Sequence, residues 1–388
     1  MKRLICILLS LMLVLSLCAC AGDTNQPTDE PSVSQGSDTP STPSDSANMS
    51  KVKIPENLPK KKIGAVGVYS GNELYVQWKN NLSSLGELFN VEFQFVEPSS
   101  TEEYASAIES LVISGVDGIM SQTCTESLVK LCAEKNVGYM VYCSALPQDM
   151  MDTVSQYDNF CGVVAEDDSV AARHAAESMY EAGCREVGLI GVARGLSEMM
   201  DTRADSFKAR FEELGGKVIA EDYSYMEFGK GVSTFAAAYP NMDGIFSCIL
   251  NEVLFQAIAT EGLAGNIKIA GFDLSESCPD FFESGDLIYA CTGQQAAIVC
   301  AFAPLYNYMY DGTHLVEDRA HPVARPFAEV HNYEEYQDYN AYVRYSTCYS
   351  PEEIAEMILG WNSDYTPQDF IDINAAFSIQ EVKERSGQ

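Results

Sequence analysis

Buried strands and amphipathic helices alternate along most of this chain, and this alternation limits its possible folds more than any other feature. From residue 62 onward, short runs rich in Val, Ile and Gly are each followed by apolar residues at helical spacing. Strands that alternate with helices form parallel sheets with helices on both faces. The predicted strands of the first half are 62–68, 91–96, 118–120 and 138–142, and its predicted helices are 74–89, 104–114 and 125–135.

The same alternation starts again at residue 160. Two such halves of roughly a hundred residues each predict an α/β protein with two doubly wound, Rossmann-like lobes. Ligands of these sheets bind beyond the carboxyl ends of the strands, so two facing lobes would clamp a ligand between them. The second half has predicted strands at 160–164, 186–191, 217–220, 244–249 and 267–271, and predicted helices at 168–182, 199–214, 231–239 and 252–261.

The charge balance argues against whole classes of partner. The chain has 388 residues, 24 of them basic and 56 acidic, for a formal net charge of −32. Such a chain repels phosphate backbones and anionic lipid, so we expect neither nucleic acid as a main partner nor adhesion to membranes by surface charge.

Motifs of catalysis and metal binding are missing from the sequence. It contains no G-x-S-x-G, no H-E-x-x-H, no Walker loop and only four histidines. The run Glu166-Asp167-Asp168 is a possible carboxylate pair, but sequence neighbours point in different directions and do not face one bond across a cleft. We therefore expect no enzyme, no cofactor and no metal site.

The N-terminus is typical of an exported lipoprotein. Lys2 and Arg3 precede an apolar run at 4–17, which is shorter than a membrane span of ~20 residues. The following Leu-Cys-Ala-Cys at 17–20 resembles a bacterial lipobox, which implies cleavage of a signal peptide 1–19 and a lipid thioether on Cys20. The alternative is an ordinary signal peptide that is cut nearby.

A low-complexity segment follows the lipobox. Residues 20–58 are dominated by Ser, Thr, Pro and Asp, and cannot bury enough apolar surface to offset their chain entropy. We expect a disordered tether that holds a folded body at the outer face of the cell membrane.

Ten cysteines remain beyond the lipobox, the first at Cys124 and the last at Cys348. None is part of a C-x-x-C motif, which gives no support for a zinc or iron–sulfur site. Most lie in apolar stretches, where a free cysteine behaves as a small buried hydrophobe. A few disulfides remain an alternative, and the sequence alone does not pair them.

Several motifs, in order along residues 60–325, resemble type I periplasmic binding proteins of the ribose- and galactose-binding kind. The resemblance includes the first strand, loop and helix, with Asn72, Leu74 and Tyr75 at the family's Asn–aromatic pattern, and the helix-to-strand stretch LVISGVDGI at 111–119. Further matching segments are VAEDDS at 164–169, TRADSF at 202–207, DGIFS at 243–247 and AGFD at 270–273.

This resemblance implies a function outside the cell. Such proteins capture a small polar solute, here most simply a sugar, and deliver it to the permease of an ATP-driven (ABC) importer. The resemblance also implies a monomer without a cofactor. Two alternatives stay open: a sensory receptor of the same fold that signals to a membrane kinase, and a nucleoside-type ligand.

The resemblance also implies a division of the chain between the lobes. The first lobe would comprise 59–164 and about 291–323, the second 165–290 and about 324–365, followed by a tail at 366–388. Three crossover strands, near Val164, Ala290 and Val323, would join the lobes and act as a hinge for closure.

Ligand-binding residues carried over from the family lie mostly where strands end. Each has a structural alternative: a helix cap for Asn72 and Asn251, a surface ion pair with Asp201 or Asp205 for Arg203, packing for Tyr75, and hinge hydrogen bonds for Asp167 and Gln294. The candidates are Tyr69, Asn72, Tyr75, Asp167, Arg203, Asn251, Asp273 and Gln294.

Two features depart from the family pattern. Pentose-binding relatives carry an Asp-Arg pair after the fourth strand, where this chain has Tyr142-Cys143-Ser144, so a ribose ligand is not favoured. A tyrosine-rich stretch at 333–349 follows the third crossover, for which packing against the second lobe is favoured over stacking on carbohydrate. Ser350 and Pro351 then begin a predicted closing helix up to residue 361.

Overall fold

The first half of the chain folds as the alternation predicts. The computed structural model describes residues 52–67, 73–224 and 227–386, without the side chains of 73–75 and 101–102. The elements of this half are β1 (Lys61–Val66), α1 (Glu73–Phe89), β2 (Val91–Val96), α2 (Thr101–Ile113), β3 (Gly118–Ser121), α3 (Glu126–Glu134), β4 (Gly138–Tyr142), α4 (Gln148–Val154) and β5 (Phe160–Glu166).

The second half repeats this pattern. Its elements are α5 (Asp168–Glu181), β6 (Glu186–Ile190), α6 (Glu198–Glu213), β7 (Lys217–Asp222), α7 (Phe228–Ala238), β8 (Gly244–Ser247), α8 (Glu252–Thr260), β9 (Lys268–Phe272), α9 (Cys278–Glu283) and β10 (Leu287–Thr292). The two shortest helices of the repeated halves, α4 and α9, are absent from the sequence prediction, because six or seven residues are too few to show a helical period.

The remaining elements follow the second half along the chain. They are α10 (Gln294–Asp311), β11 (Val323–Arg325), β12 (Ala328–Val330), α11 (Tyr333–Tyr339), α12 (Pro351–Glu356), α13 (Pro367–Ala375) and α14 (Ile379–Arg385), with a π-helical turn at Asn340–Arg344.

Two six-stranded sheets result, and each has a doubly wound strand order. The first runs β11-β5-β4-β3-β1-β2 and is parallel throughout. The second runs β12-β10-β9-β8-β6-β7, with only β12 antiparallel. The predicted fold class, two Rossmann-like lobes, is confirmed.

The chain crosses between the sheets three times. It passes from β5 to α5, from β10 back to α10, and from β11 in the first sheet to β12 in the second. Each crossing takes one or two residues, so the lobes are joined by short connections rather than by a linker.

Close packing of α10 against the first sheet depends on glycine. α10 contacts β3, β4 and β5. At Gly118, the last glycine of the GVDGI motif, a Cβ atom would lie 2.7 Å from the Met309 sulfur and about as close to Leu305. The motif therefore keeps a glycine where a helix approaches the strand directly.

Stacked aromatic rings fill the core of the second lobe. The rings of Phe207 on α6 and Phe246 on β8 stack with centroids 3.8 Å apart, and Phe272 meets Phe246 edge-on at 6.2 Å. All three side chains are fully buried. Such pairs add to the hydrophobic term because offset and edge-on rings complement each other electrostatically.

The C-terminal segment contacts both lobes. α11 packs against α9 and β12 of the second lobe, whereas α12 packs against α1 and α10 of the first, and α13 against β11. The stretch 324–365, expected to belong to the second lobe, is thus divided between the two. The region expected to be a tail, 366–388, contains α13 and α14, whose Phe370 and Val382 are buried.

Packing accounts for much of the tyrosine-rich stretch. Tyr336, Tyr339 and Tyr349 are buried, whereas Tyr345 is largely exposed. The favoured prediction of a packing role therefore fits these three rings. Ser350 caps α12 through a reciprocal capping box with Glu353, as the sequence predicts for the start of a closing helix.

The predicted signal peptide, the lipidation site Cys20 and most of the predicted tether lie outside the described residues. Within 52–67, 73–224 and 227–386, no helix is both long and apolar enough to cross a bilayer.

Replacing Phe246 by Ala tests the ring stack in the second lobe. Removing a fully buried ring leaves a cavity, so we expect the free energy of unfolding to fall by about 3–5 kcal/mol. Urea denaturation followed by circular dichroism measures it. Tyr239→Ala in the same lobe, at a ring 38% exposed, is the control and should cost far less; equal losses would contradict this account of the core.

Candidate functional site

The crossings bring the carboxyl edges of the two sheets together. The chain leaves the first sheet at Glu166, the carboxyl end of β5, and begins α5 two residues later. It returns from Thr292, the carboxyl end of β10, directly into α10. We call the residues around these junctions (166–168, 273, 292–294 and 325–328) the crossover region. Doubly wound sheets bind ligands at this edge.

Arg203 on α6 is the central charge on the second-lobe side of this region, although only 2% of it is exposed. Its Nε donates to Asp168 Oδ1 at 2.6 Å, and its Nη1 donates to the carbonyl oxygen of Cys248 at 3.1 Å. The guanidinium lies over the ring of Phe272, 4.1 Å from its centroid. Counter-charge, hydrogen bonds and a ring face together compensate for the burial of this cation.

The structural alternative for Arg203 was an ion pair at the surface, and this alternative is wrong. Asp201 and Asp205 instead pair with Arg194, at 3.5 and 2.8 Å. Arg203 points inward because it lies on the face of α6 that carries the buried Ala204 and Phe207.

Asp273 follows β9 in a left-handed conformation, with φ of 68°. Its backbone N–H donates to the carbonyl oxygen of Cys291 at 2.8 Å, which holds the strained turn against β10. One carboxylate oxygen, Oδ2, lies 3.9 Å from Arg203 Nη1, and the side chain is 36% exposed. Because a non-glycine residue in the left-handed conformation is uncommon, a partly exposed Asp of this kind at a strand end is a candidate functional position.

Gln294 reaches Asp273 from the other side of the second crossing. Its Nε2 donates to Asp273 Oδ1 at 2.8 Å. The thiol of Cys143, which directly follows β4, donates to the backbone oxygen of Gln294 at 3.2 Å. The structure therefore brings Arg203, Asp273 and Gln294 together as one cluster, with a first-lobe strand end beside it.

The protonation of this cluster follows from its burial and its charges. Burial raises the pKa of the Asp168 carboxyl, and the nearby Arg203 opposes that rise. Burial by itself lowers the pKa of Arg203, but the negative charges of Asp168 and then Asp273 outweigh it and raise that pKa. Arg203 consequently stays charged at any pH at which the protein is folded.

Two candidates act as helix caps. Asp167 Oδ1 accepts the N–H of Val170 at 3.0 Å at the start of α5, and Asn251 Oδ1 accepts the N–H of Leu254 at 2.9 Å at the start of α8. Each cap occupies one oxygen and leaves the rest of the side chain at the carboxyl edge of its sheet.

The first-lobe loop contributes three candidates that the structure does not place. Tyr69 and Asn72 lie outside the described residues, and Tyr75 is within α1 but without a described side chain. Their contacts with a ligand remain predictions.

Sequence reasoning missed Asp168 as the partner of Arg203. It named Asp167 as a ligand-binding candidate, but considered Glu166 and Asp168 only as part of a possible carboxylate pair and of a segment that resembles the family. A buried arginine requires a carboxylate nearby, and an acid at the first residue of α5 could have suggested one. Cys143 is a second omission. The sequence analysis named it only because the stretch 142–144 lacks the Asp-Arg pair of pentose-binding relatives.

Negative charge dominates the cluster. Asp168 and Asp273 lie 2.6 and 3.9 Å from Arg203, and Asp167 adjoins Asp168 in the chain. The residues that the structure describes contain no group of three or more His, Cys, Asp or Glu side chains arranged to hold a metal ion. What the cluster offers a ligand is therefore mainly hydrogen-bond acceptors.

Nine of the ten cysteines of the body are buried and form no disulfide with one another, and Cys143 is partly buried. Burial raises the pKa of several thiols, that of Cys124 and Cys161 to about 12. Such thiols are protonated and unreactive at neutral pH, consistent with their prediction as small buried hydrophobes.

Two shallow pockets, of about 260 and 230 Å³, lie away from the crossover region. One is lined by Lys61 and Asp117 near the amino ends of β1 and β3, and the other by Phe93 and Phe95 along the edge strand β2. Neither coincides with the strand ends that carry the charged cluster, and we assign the site from the cluster's chemistry.

Solved structures resemble this chain in fold. A solute-binding protein of Actinobacillus succinogenes 130z with bound D-allose has a TM-score of 0.60 at 15% identity, covering 72% of this chain and 100% of that one. A carbohydrate transporter protein of Acidothermus cellulolyticus 11B with myo-inositol has a TM-score of 0.58 at 17% identity, covering 73% and 98%.

A third neighbour is the periplasmic binding protein of the arabinose ABC transporter of Shewanella sp. ANA-3, bound to L-arabinofuranose. It has a TM-score of 0.59 at 15% identity and covers 72% of this chain and 95% of that one. No family model and no curated protein matches the sequence. The fold expected from the resemblance, that of a type I periplasmic binding protein, is confirmed.

Replacing Asp168 by Asn tests the buried ion pair. The change leaves Arg203 charged and buried with Asp273 only at 3.9 Å, so we expect the free energy of unfolding to fall by about 3–5 kcal/mol. Urea denaturation at pH 7 measures the loss. Asp201→Asn, which removes a surface partner of Arg194, is the control and should cost under about 1 kcal/mol. Similar losses in both variants would contradict the assignment.

Proposed function

We propose that this chain is an extracytoplasmic solute-binding protein. It captures a sugar in the crossover region between its two lobes and delivers it to the permease of an ABC importer. The observation that carries the proposal is the partly exposed Asp273 carboxylate, which Gln294 and Arg203 orient at the carboxyl edge of the second sheet.

The chemistry of the cluster supports a polyhydroxylated ligand. A carboxylate accepts hydrogen bonds from two adjacent hydroxyl groups, and such charge-assisted bonds are stronger than neutral ones. Gln294 and the backbone at Asp273 fix the carboxylate before the ligand arrives, which lowers the entropic cost of binding. The fold neighbours are described as holding allose, inositol and arabinofuranose, which supports a sugar or cyclic polyol here.

The excess of carboxylates favours a neutral ligand. A sugar phosphate or sugar acid would meet the partly exposed Asp273 carboxylate, and the nearby cation Arg203 is already hydrogen-bonded to Asp168. The first lobe supplies no Asp-Arg pair after β4, so its contacts at that strand end come from Cys143 and the adjacent loop. We therefore favour a neutral sugar over ribose phosphates and uronic acids.

Closure is the mechanism that the architecture supports. Three short crossings join the lobes, so rotation about them opens and closes the crossover region. A ligand that bonds to both lobes stabilises the closed arrangement by its differential affinity for it. A permease that recognises the closed arrangement then receives only the loaded protein.

A ligand screen with a site variant tests this function. We expect D-allose, L-arabinose or myo-inositol to raise the thermal stability of the full chain, by about 2.7 kcal/mol at a hundredfold excess over Kd. Asp273→Asn should weaken the binding of the sugar with the largest shift by about tenfold or more, because a hydrogen bond to a charged group is worth about 1.5–3 kcal/mol.

Asp205→Asn is the matched control for that variant. Asp205 is an exposed carboxylate on α6 that pairs with Arg194, and its loss should leave affinity unchanged. If only nucleosides raise the thermal stability, the ligand is of the nucleoside type and not a sugar. Equal affinity of the Asp273→Asn variant and the parent chain would remove Asp273 from the site.

Lipid anchoring is the second part of the proposal. In bacteria that express the full chain, we expect labelled palmitate to be incorporated and the protein to sediment with membranes. Cys20→Ser should abolish both, because the lipid thioether forms only on this cysteine. Cys18→Ser is the control and should keep the label. Label retained in the Cys20 variant would contradict this part.

A further inference from the structure

The second crossing between the lobes consists of Thr292, Gly293 and Gln294. Thr292 ends β10 in the second sheet, and Gln294 begins α10, which packs against the first sheet. The side chain of Gln294 nevertheless reaches back to the second lobe, where its Nε2 donates to Asp273 Oδ1 at 2.8 Å. This crossing therefore carries the group that orients the carboxylate proposed to bind the solute.

The amide of Gln294 is bonded at both of its ends. Opposite Nε2, the amide oxygen Oε1 accepts a hydrogen bond of 3.4 Å from the hydroxyl of Thr292. An ionised carboxylate only accepts hydrogen bonds, so Asp273 selects the orientation in which the NH2 end of the amide faces it. Thr292 then holds the oxygen end, which Asp273 does not reach.

Gly293 makes the turn between these two side chains possible. It adopts the left-handed conformation, with φ of 102°, at the N-cap of α10. A Cβ atom at this position would lie 3.0 Å from the Cβ atom of Ala328 and 3.3 Å from the ring of Phe377. Glycine is therefore required both by the backbone conformation and by the close approach of β12 and the C-terminal segment.

The C-terminal segment also covers the Thr292 hydroxyl. Thr292 is buried, and the hydroxyl of Tyr339 on α11 lies beside the side chains of Thr292 and Gln295. Gln295 donates from Nε2 to the carbonyl oxygen of Val343 at 3.1 Å. Because solvent has little access to this place, water does not compete effectively for the hydrogen bond between Thr292 and Gln294.

The bond from Gln294 determines which oxygen of Asp273 is available to a solute. Oδ1 accepts from Gln294, whereas Oδ2 lies 3.9 Å from Arg203 Nη1, beyond hydrogen-bond distance. The Asp273 side chain is partly exposed. Oδ2 is therefore the oxygen that can accept from a solute hydroxyl, and its direction depends on the position of the Gln294 amide.

Holding the amide in advance lowers the cost of binding. A glutamine side chain loses up to about 2 kcal/mol of conformational freedom when it is fixed in one rotamer. With the Thr292 hydroxyl present, this loss occurs on folding, so that Gln294 and Asp273 are already in position when the solute arrives. Without the hydroxyl, part of the loss is transferred to solute binding.

We infer that Thr292 is a positioning residue for solute binding: its hydroxyl holds the amide of Gln294, and this amide holds the Asp273 carboxylate in the orientation that accepts a solute hydroxyl. Thr292 acts through Gln294 and not by contact with the solute. The inference rests on the proposed function, because it concerns the same carboxylate.

Two substitutions of Thr292 separate its hydroxyl from its shape. Thr292→Val removes the hydroxyl and keeps the branched side chain. We expect it to weaken the binding of D-allose, or of whichever sugar of the panel gives the largest shift, by about three- to tenfold. Thr292→Ser keeps the hydroxyl and should bind within about twofold of the parent chain. Calorimetric titration measures these affinities, and equal affinities of the two variants would overturn the inference.

Thr260→Val is the matched control. Thr260 is exposed at the end of α8, where its hydroxyl donates to the carbonyl oxygen of Gln256 at 2.7 Å. The same substitution at this position should leave the affinity unchanged. A loss as large as that of Thr292→Val would mean that the effect does not depend on the second crossing, and would contradict the role of Thr292.

The dependence on Gln294 distinguishes a positioning role from a general effect on packing. In a Gln294→Ala background the amide is absent, so Thr292→Val should weaken sugar binding by less than about twofold further. A three- to tenfold loss in that background would show that Thr292 acts independently of Gln294, and would overturn the inference.

A measurement without solute separates this inference from the proposed function. Urea denaturation of the parent chain, of Thr292→Val, of Gln294→Ala and of the double variant measures the coupling between the two side chains. We expect Thr292→Val to lower the urea midpoint less in the Gln294→Ala background than in the parent chain. If this coupling is found but no sugar binds, the proposed function fails and the contact between Thr292 and Gln294 remains. Equal shifts in both backgrounds overturn the inference whether or not a sugar binds.

Discussion

Two buried arginines lie beside the first crossing, and both depend on carboxylates from one short stretch of it. Asp168 is hydrogen-bonded to Arg203 of the second lobe, while Glu166, two residues earlier, is the nearest anion to Arg325 of the first. Neither guanidinium could be buried without a counter-charge, since an isolated buried cation costs several kcal/mol. Because this stretch joins β5 to α5, the ion pairs anchor each lobe to the connection between them.

The same arrangement controls the chemistry offered to a ligand. Asp168 occupies the buried side of Arg203, so that the carboxylate left partly in solvent is Asp273. A site built in this way presents acceptors on a rigid support and offers little to an anion. That preference agrees with the chain as a whole, whose net charge is −32. The proposed preference for a neutral, hydroxyl-rich solute rests on how the arginine is neutralised.

Local sequence patterns were sufficient for most of the fold but for only part of the site. The strands and long helices follow from short-range periodicity, and the glycines of the motifs mark close approaches that those patterns already contain. Asp273 and Gln294 were predicted as ligand-binding residues from the family resemblance, which places each of them beside a strand end. Asp168 was missed as a partner because its role depends on Arg203, 35 residues away, and no local pattern reports the burial of a side chain on a distant helix.

The sequence by itself determined the two doubly wound lobes, their helix caps and the strand ends where a ligand would bind, because hydrophobic period, capping residues and turns act within a few residues. Only the tertiary structure decided which charges pair. It buried Arg203 against Asp168 rather than at the surface, divided the C-terminal segment between the lobes, and left Glu166 4.0 Å from Arg325. Electrostatic interactions depend on distance and burial in three dimensions, and both are set only when the two sheets have assembled.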